Sequence, residues 1–235
     1  MNDLKKSLLI IIPAFNEEGS IGVVIDNIKK HVPWADIAVV NDGSSDRTAA
    51  IASSKGVILI SNPYNMGIGS TMQTGYKYAH MKGYDVAVQV DADGQHPAEQ
   101  IAQLIRPVVE NKADIVVGSR FLGEGSYRPS LARGAGMALF SSVVSVIIKE
   151  KVTDTTSGFR AAGKECIEFF AKRYPDDYPE VEALVLLHKK GFSIMEIPVS
   201  MNERSAGRSS ITPIRSIYYM VKVLLAIFVD LMKKI

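Results

Sequence analysis

Two aspartates one residue apart, Asp91 and Asp93, follow the apolar run Val88-Gln89-Val90 and precede Gly94-Gln95-His96-Pro97. Side chains two apart in extended backbone share a face. The spacing therefore aims both carboxylates to one side. Two hard oxygen ligands at a strand's carboxyl end suit Mg2+ or Mn2+, which keep waters and bind substrate phosphates. Such a cation neutralises charge on a leaving diphosphate as a Lewis acid. A solvated turn followed by a helix cap is the plain structural alternative. His96 reads as a neighbour of the pair, because hard-cation sites prefer oxygen.

Two further strand ends carry polar clusters. Ile37-Ala38-Val39-Val40 runs into Asn41-Asp42-Gly43-Ser44-Ser45-Asp46. Asp42 can accept hydrogen bonds from a base or ribose, while Asp46 reads as an N-cap before Arg47 and Thr48. The first apolar run ends in Pro13-Ala14-Phe15-Asn16-Glu17-Glu18. One such cluster says little, but three on neighbouring strands point to a nucleotide site at a topological switch point. Gly67-Ile68-Gly69 follows the third strand and lacks the last glycine of a dinucleotide loop. It reads as a helix start needing close approach.

The elements that must position these residues alternate. Leu8–Ile12, Asp36–Val40, Val57–Ile60, Val86–Val90 and Ile115–Val117 are short, apolar and rich in β-branched residues, which suits parallel strands buried on both faces. Helical stretches lie between them at about Ser20–His31, Asp46–Lys55, Ile68–Lys82 and Pro97–Asn111. The rhythm predicts an α/β fold, a Rossmann-like, mostly parallel sheet flanked by helices. It then breaks. Gly118–Gly136 reads as a loop, Met137–Ile148 as an apolar helix, and Thr153–Gly163 as a second polar stretch. A helix pair, a strand at Ser193–Val199, a basic loop at Asn202–Ser210 and a final helix at Ile214–Lys234 complete the chain. The expected division is a main domain over residues 1–210 and an appended helix over 211–235.

Composition limits the function classes. A net charge of +2 on 235 residues gives nucleic-acid binding no electrostatic support. One cysteine, Cys166, excludes an internal disulfide and a Cys-rich zinc site. Leu8–Ile12 is shorter than a signal-peptide core and meets Pro13. No stretch reaches the roughly 18 uncharged apolar residues of a membrane span. The final helix carries Tyr218, Tyr219, Leu224, Leu225, Ile227 and Phe228, broken by Lys222 and Asp230 and ended by Lys233 and Lys234. That pattern suits an amphipathic helix at a membrane surface. Docking on the domain or in a homo-oligomer is the competing reading.

The motifs together resemble family 2 glycosyltransferases of the GT-A fold, in particular the dolichyl- and polyprenyl-phosphate sugar synthases such as dolichyl-phosphate mannose synthase. The matching pieces are the three strand-end clusters, Gly118-Ser119-Arg120-Phe121, Asp154-Thr155-Thr156-Ser157-Gly158-Phe159-Arg160 and Asn202-Glu203-Arg204-Ser205-Ala206-Gly207-Arg208-Ser209-Ser210. The resemblance implies an inverting, metal-dependent transfer from a nucleotide-sugar donor, with UDP-GlcNAc or UDP-glucose as the expected kind, to a polyprenyl phosphate such as undecaprenyl phosphate. It implies that Pro13, Phe15, Glu17, Val40, Asp42 and Ala92 line the nucleotide. Asp91 and Asp93 would hold the metal and diphosphate, and Gln95 would face the acceptor. Arg120, Arg160, Arg204, Arg208 and Glu182 would meet phosphate or acceptor, with Asp93, Gln95 and Arg204 closest to the chemistry. It further implies a cytoplasmic protein peripheral to the inner face of the cell membrane, with a homo-oligomer or a membrane-protein partner as the open alternatives. The branch often has lysine where Ser210 stands, and Arg208 then supplies the charge.

Three other functions share parts of the pattern. A transferase acting on a saccharide hydroxyl would need a positioned carboxylate base, which Glu180 or Glu182 could supply. A regulatory nucleotide-sugar binding module would keep the pocket without turnover, against the presence of the full motif set. A nucleotidyltransferase would want a glycine-rich basic loop after the first strand, where this chain has Asn16-Glu17-Glu18.

Overall fold

The computed structural model describes residues 7–122, 131–149, 151–176, 179–202, 222–223 and 225. Seven strands form one sheet: β1 (Leu8–Ala14), β2 (Asp36–Asn41), β3 (Ile58–Ser61), β4 (Val86–Gln89), β5 (Ile115–Ser119), β6 (Arg160–Gly163) and β7 (Ile194–Pro198). Their order across the sheet is β3-β2-β1-β4-β6-β5-β7. All pairings are parallel except those of β6, which runs antiparallel between β4 and β5.

Helices cover both faces: α1 (Ile21–His31), α2 (Thr48–Ser54), α3 (Ile68–Lys82), α4 (Ile101–Val109), α5 (Leu131–Ile148), α6 (Lys164–Lys172) and α7 (Pro179–Lys189). The period of two along β1 decides which residue meets which layer. Leu8, Ile10, Ile12 and Ala14 join a core with Ile21, Val24, Ile25 and Ile28 of α1 and Ile101, Leu104, Ile105 and Val108 of α4. Leu9 and Ile11 face the other way, onto Met72, Tyr76 and Ala79 of α3 and Ile167 and Phe170 of α6. The buried positions of α1 and α4 recur at i, i+3, i+4 and i+7, one stripe of an amphipathic helix. Each fully buried isoleucine contributes about 1.5–3 kcal/mol relative to exposure. β1 is thus the mechanical centre of the sheet.

The five expected parallel strands and their helices are present, with three differences. β6 occupies the end of the stretch read as polar loop: Arg-Ala-Ala-Gly carries no β-branched residue to announce a strand, and its neighbours on both sides supply the ladder. α5 begins at Leu131 rather than Met137, because glycines at 134 and 136 do not stop it. The helix expected from Pro97 opens as a 3-10 turn, Ala98–Gln100, before α4. The final helix lies outside the described residues, except that residues 222, 223 and 225 are helical. Val223 is buried among Phe140, Val144, Val181 and Leu184. At that residue the segment docks on α5 and α7. No helix among the described residues is long and apolar enough to cross a membrane.

Two parallel pairs share one device where their strands enter the sheet. Asp85, ahead of β4, accepts the Ser7 N–H and hydroxyl at 3.0 Å each, and its own N–H donates to the Ser7 hydroxyl at 3.1 Å. Asp114, ahead of β5, accepts the Ser193 N–H and hydroxyl at 2.7 Å and donates back at 3.0 Å. The Ser7 N–H, above all, holds the Asp85 carboxyl below its usual pKa. A lowered folded value means stability that is present above the ordinary carboxylate range and disappears as pH falls through the folded value. Asp85→Ala is therefore expected to lower the melting temperature at pH 7. The difference from the parent should shrink as the pH falls below about 4, which thermal melts across pH will check.

Candidate active site

β2, β1 and β4 are neighbours in the sheet, so the three polar clusters meet along one edge. The chain leaves β1 toward β2 on one side and returns as β4 on the other, which makes this edge the switch point. The first two loops are tied together. Asn16, at φ 55°, donates its N–H to the Ser44 hydroxyl at 3.0 Å and accepts the Ser45 N–H at 2.9 Å. The Glu17 N–H donates to the Thr48 hydroxyl at 2.8 Å, and the Glu18 N–H to Asp46 at 3.0 Å. Asp46 also accepts the Thr48 N–H at 2.9 Å, so it caps α2 although Arg47 stands at the formal cap position. The Glu17 carboxylate accepts the Ser20 hydroxyl at 2.7 Å. Phe15 is exposed beside these bonds, while Pro13, Val40 and Ala92 are buried.

Asp42 is buried, and protein groups surround its carboxylate. It accepts the Asn62 side-chain amide at 2.9 Å, the Met66 N–H at 2.9 Å and the Gly67 N–H at 3.0 Å. Asp42 thus shapes the 62–67 loop at the nucleotide edge, where a direct contact with base or ribose is the sequence expectation. Gly69 behaves as read: a Cβ there would lie 2.2 Å from the Pro175 carbonyl oxygen.

β4 ends at Gln89, and Ala92–Asp93 form a turn. The extended geometry expected for the aspartate pair is replaced by this turn. Asp93 is buried and accepts the Gln95 N–H at 3.0 Å. The Asp91 side chain is 39% exposed. The Gln89 amide reaches its Oδ1 at 3.4 Å, and His96 Nε2 lies 3.5 Å from its Oδ2. These are long contacts that leave Asp91 its acceptor strength. A Cβ on Gly158 would stand 3.3 Å from both Asp91 oxygens and 2.8 Å from the Gln89 amide nitrogen, so glycine keeps the space over this carboxylate open. Among the described residues no group of three or more acids, histidines or cysteines gathers to hold a metal. Two carboxylates, one of them accessible, fit a cation that takes its other ligands from water and phosphate, as Mg2+ and Mn2+ do.

Arg120 and Arg160, expected to meet phosphate or acceptor, both engage the protein. Arg120 grips the buried Asp154 carboxylate through Nε and Nη2 at 2.7 Å each, and Nη2 also donates to the Thr156 hydroxyl at 2.8 Å. Arg160 is 2% exposed. It donates to the carbonyls of Ser157 at 2.7 Å, Thr155 at 3.2 Å and Glu180 at 2.6 Å. Its role is to pin the 155–158 turn and the start of α7. A residue outside the sequence-based set completes this support. Glu196 of β7 accepts the Thr153 N–H and hydroxyl and the Asp154 N–H at 2.7–2.9 Å. A lone acid inside the apolar run Ile194-Met195-Glu196-Ile197 was the available signal.

Glu182 is buried in the first turn of α7. Glu180 is half-buried. This burial pushes its pKa above the usual range; Arg160 opposes the shift and the negative charge of Asp91 adds to it. The Gln95 carbonyl accepts the Asn202 N–H at 2.9 Å, and the Gly94 carbonyl lies 3.4 Å from the Asn202 amide. Arg204 and Arg208 lie outside the described residues.

The chain is similar over most of its length to known proteins. The family model described as glycosyl transferase family 2 matches residues 9–168. The UDP-N-acetylglucosamine–dolichyl-phosphate N-acetylglucosaminyltransferase of Methanococcus voltae is 33% identical over 217 residues, covering 83% of this chain and 85% of that one. The polyprenol monophosphomannose synthase of Mycolicibacterium smegmatis is 28% identical, covering 87% and 80%. Among solved structures, glucosyl-3-phosphoglycerate synthase from Mycobacterium tuberculosis, in complex with Mn2+, uridine diphosphate and phosphoglyceric acid, shares the fold. It has a TM-score of 0.72 and 21% identity, covering 96% of this chain and 78% of that one.

Asp42→Ala removes the acceptor for three donors, so the Met66 and Gly67 amides should exchange hydrogen faster. Nucleoside diphosphate binding should weaken by about 1–3 kcal/mol, the cost of a lost charged hydrogen bond to base or ribose. Hydrogen exchange and calorimetry measure the two effects separately.

Proposed function

The chain belongs to glycosyl transferase family 2, and on that premise we propose that it moves a sugar from a nucleoside diphosphate sugar to the phosphate of a polyprenyl lipid. The lipid phosphate oxygen attacks the anomeric carbon. The bond from that carbon to the diphosphate breaks with inversion, and the electron pair leaves with the nucleoside diphosphate. A bound Mg2+ or Mn2+ supplies charge neutralisation to the departing diphosphate. Asp91 presents the accessible carboxylate for it, and Asp93 shapes the turn while adding the second. The donor we favour is a UDP-sugar such as UDP-GlcNAc or UDP-glucose, in keeping with the Methanococcus relative and the uridine diphosphate in the tuberculosis structure.

The observation that carries the acceptor assignment is the pair of contacts from Asn202 to the turn at Gly94 and Gln95. The chain enters its basic stretch from that point, with Arg204 two residues on and Arg208 six residues on. A phosphate monoester has a second pKa near 6 and is largely dianionic at neutral pH. It therefore needs cations to place it rather than a base to activate it, and arginine binds phosphate through a planar fork. Such a lipid acceptor would put the protein at the inner face of the cell membrane, with the segment after residue 210 as the expected contact.

One observation favours the second reading, transfer to a saccharide hydroxyl. The raised pKa of Glu180, close enough to feel Asp91, is what a general base would need. Mass spectrometry of products from a panel of nucleotide sugars with undecaprenyl phosphate decides between them. Glycosyl phospholipid is expected, and oligosaccharide products alone would reverse the assignment.

Three variants refine the test. Asp93→Ala should lose nearly all turnover, and excess chelator should silence the parent enzyme. Arg204→Ala should lower kcat/KM for the lipid by about 10–100-fold, the equivalent of a charged hydrogen bond. Glu182→Gln should retain appreciable activity.

A further inference from the structure

His96 makes two contacts with one residue. Its Nδ1 accepts the Asp91 main-chain N–H at 2.9 Å, and its Nε2 stands 3.5 Å from Asp91 Oδ2. Because Nδ1 accepts, its lone pair is free of a proton, and the ring hydrogen sits on Nε2, toward the carboxylate. The ring is 7% exposed and stacked on Phe159 at 4.9 Å with an angle of 25°. Phe159 is itself fully buried. The backbone on both sides is anchored as well: the Val90 N–H donates to the Ile11 carbonyl, and the Gln95 carbonyl accepts the Asn202 N–H. A ring clamped in this way cannot rotate to serve as a ligand. It can hold the backbone and the carboxylate of Asp91 in one arrangement.

We infer that His96 is a positioning residue for the cation site: it aims Asp91 through its main chain and its carboxylate together. This rests on the reading of Asp91 as a metal-holding carboxylate. A metal-binding oxygen left to several rotamers loses affinity through the entropy of ordering it. Partners that orient a ligand typically account for 10–100-fold in metal affinity. Phe159 extends the same support, so the 153–160 stretch reaches the cation site by two routes, Gly158 over the carboxylate and Phe159 under the imidazole.

The test is Mn2+ binding to the full chain, followed by electron paramagnetic resonance of the free ion, with three substitutions. His96→Phe keeps ring stacking and removes both polar contacts. His96→Asn returns an acceptor near the Nδ1 position. His96→Gln returns a donor near the Nε2 position without the main-chain acceptor. Near-ultraviolet circular dichroism and thermal melts report whether each fold survives. We expect His96→Phe to raise the Mn2+ dissociation constant about tenfold or more at unchanged fold, with His96→Asn recovering most of the affinity and His96→Gln less. Should His96→Phe not fold, the order of the Asn and Gln variants still decides. Affinity equal in all folded variants would overturn the positioning role and leave the metal reading intact. A parent chain that binds no Mn2+ would overturn that reading and this inference with it.

Discussion

Just past the end of β4, a strand buried on both faces, stands a carboxylate that stays reachable. The chain neighbours of Asp91, Val90 and Ala92, are both buried. Asp91 is kept serviceable by what touches it: a glutamine amide, an imidazole N–H and a glycine that adds no bulk. Each contact is weak enough to leave the oxygens available to a stronger partner. Much of the second half of the chain supports these few atoms. β6 brings Gly158 and Phe159 alongside, Arg160 pins the turn before it, and the Glu196–Thr153 and Asp154–Arg120 links hold the far end of the same stretch.

The edge formed by the loops after β1 and β2 is built on the opposite principle. There the carboxylates of Glu17, Asp42 and Asp46 are spent on protein donors. A ligand on this edge meets a surface whose shape is set in advance, so binding need not order these loops. The tied loops and the accessible acid lie along one sheet edge of a chain that belongs to glycosyl transferase family 2.

What could be read in the sequence was whatever periodicity and strand-end chemistry announce. Runs such as Leu8–Ile12 and Ile115–Val117 state their burial openly, and the stripe Ile101, Leu104, Ile105, Val108 gives the helix its face. The aspartate pair and Asp42 stood out because acids rarely follow such runs. β6 was invisible because four small residues with a leading arginine show no pattern until two neighbours bond them. The roles of Arg120 and Arg160 could not be separated from phosphate binding, since a guanidinium suits a buried carboxylate or carbonyl as well as a ligand. The tertiary fold adds what the sequence could not, setting Asp154 against one and three carbonyls against the other. Glu196 escaped for the related reason that its partners are main-chain N–H groups, which every sequence contains.

The paired aspartate–serine contacts ahead of β4 and β5 lie at the opposite end of the sheet from all of this. A parallel strand slipped by one residue would turn every side chain to the wrong layer, and here the alignment is locked where the strands begin. Errors of alignment are therefore arrested before they can travel to the edge where the polar clusters of β1, β2 and β4 meet.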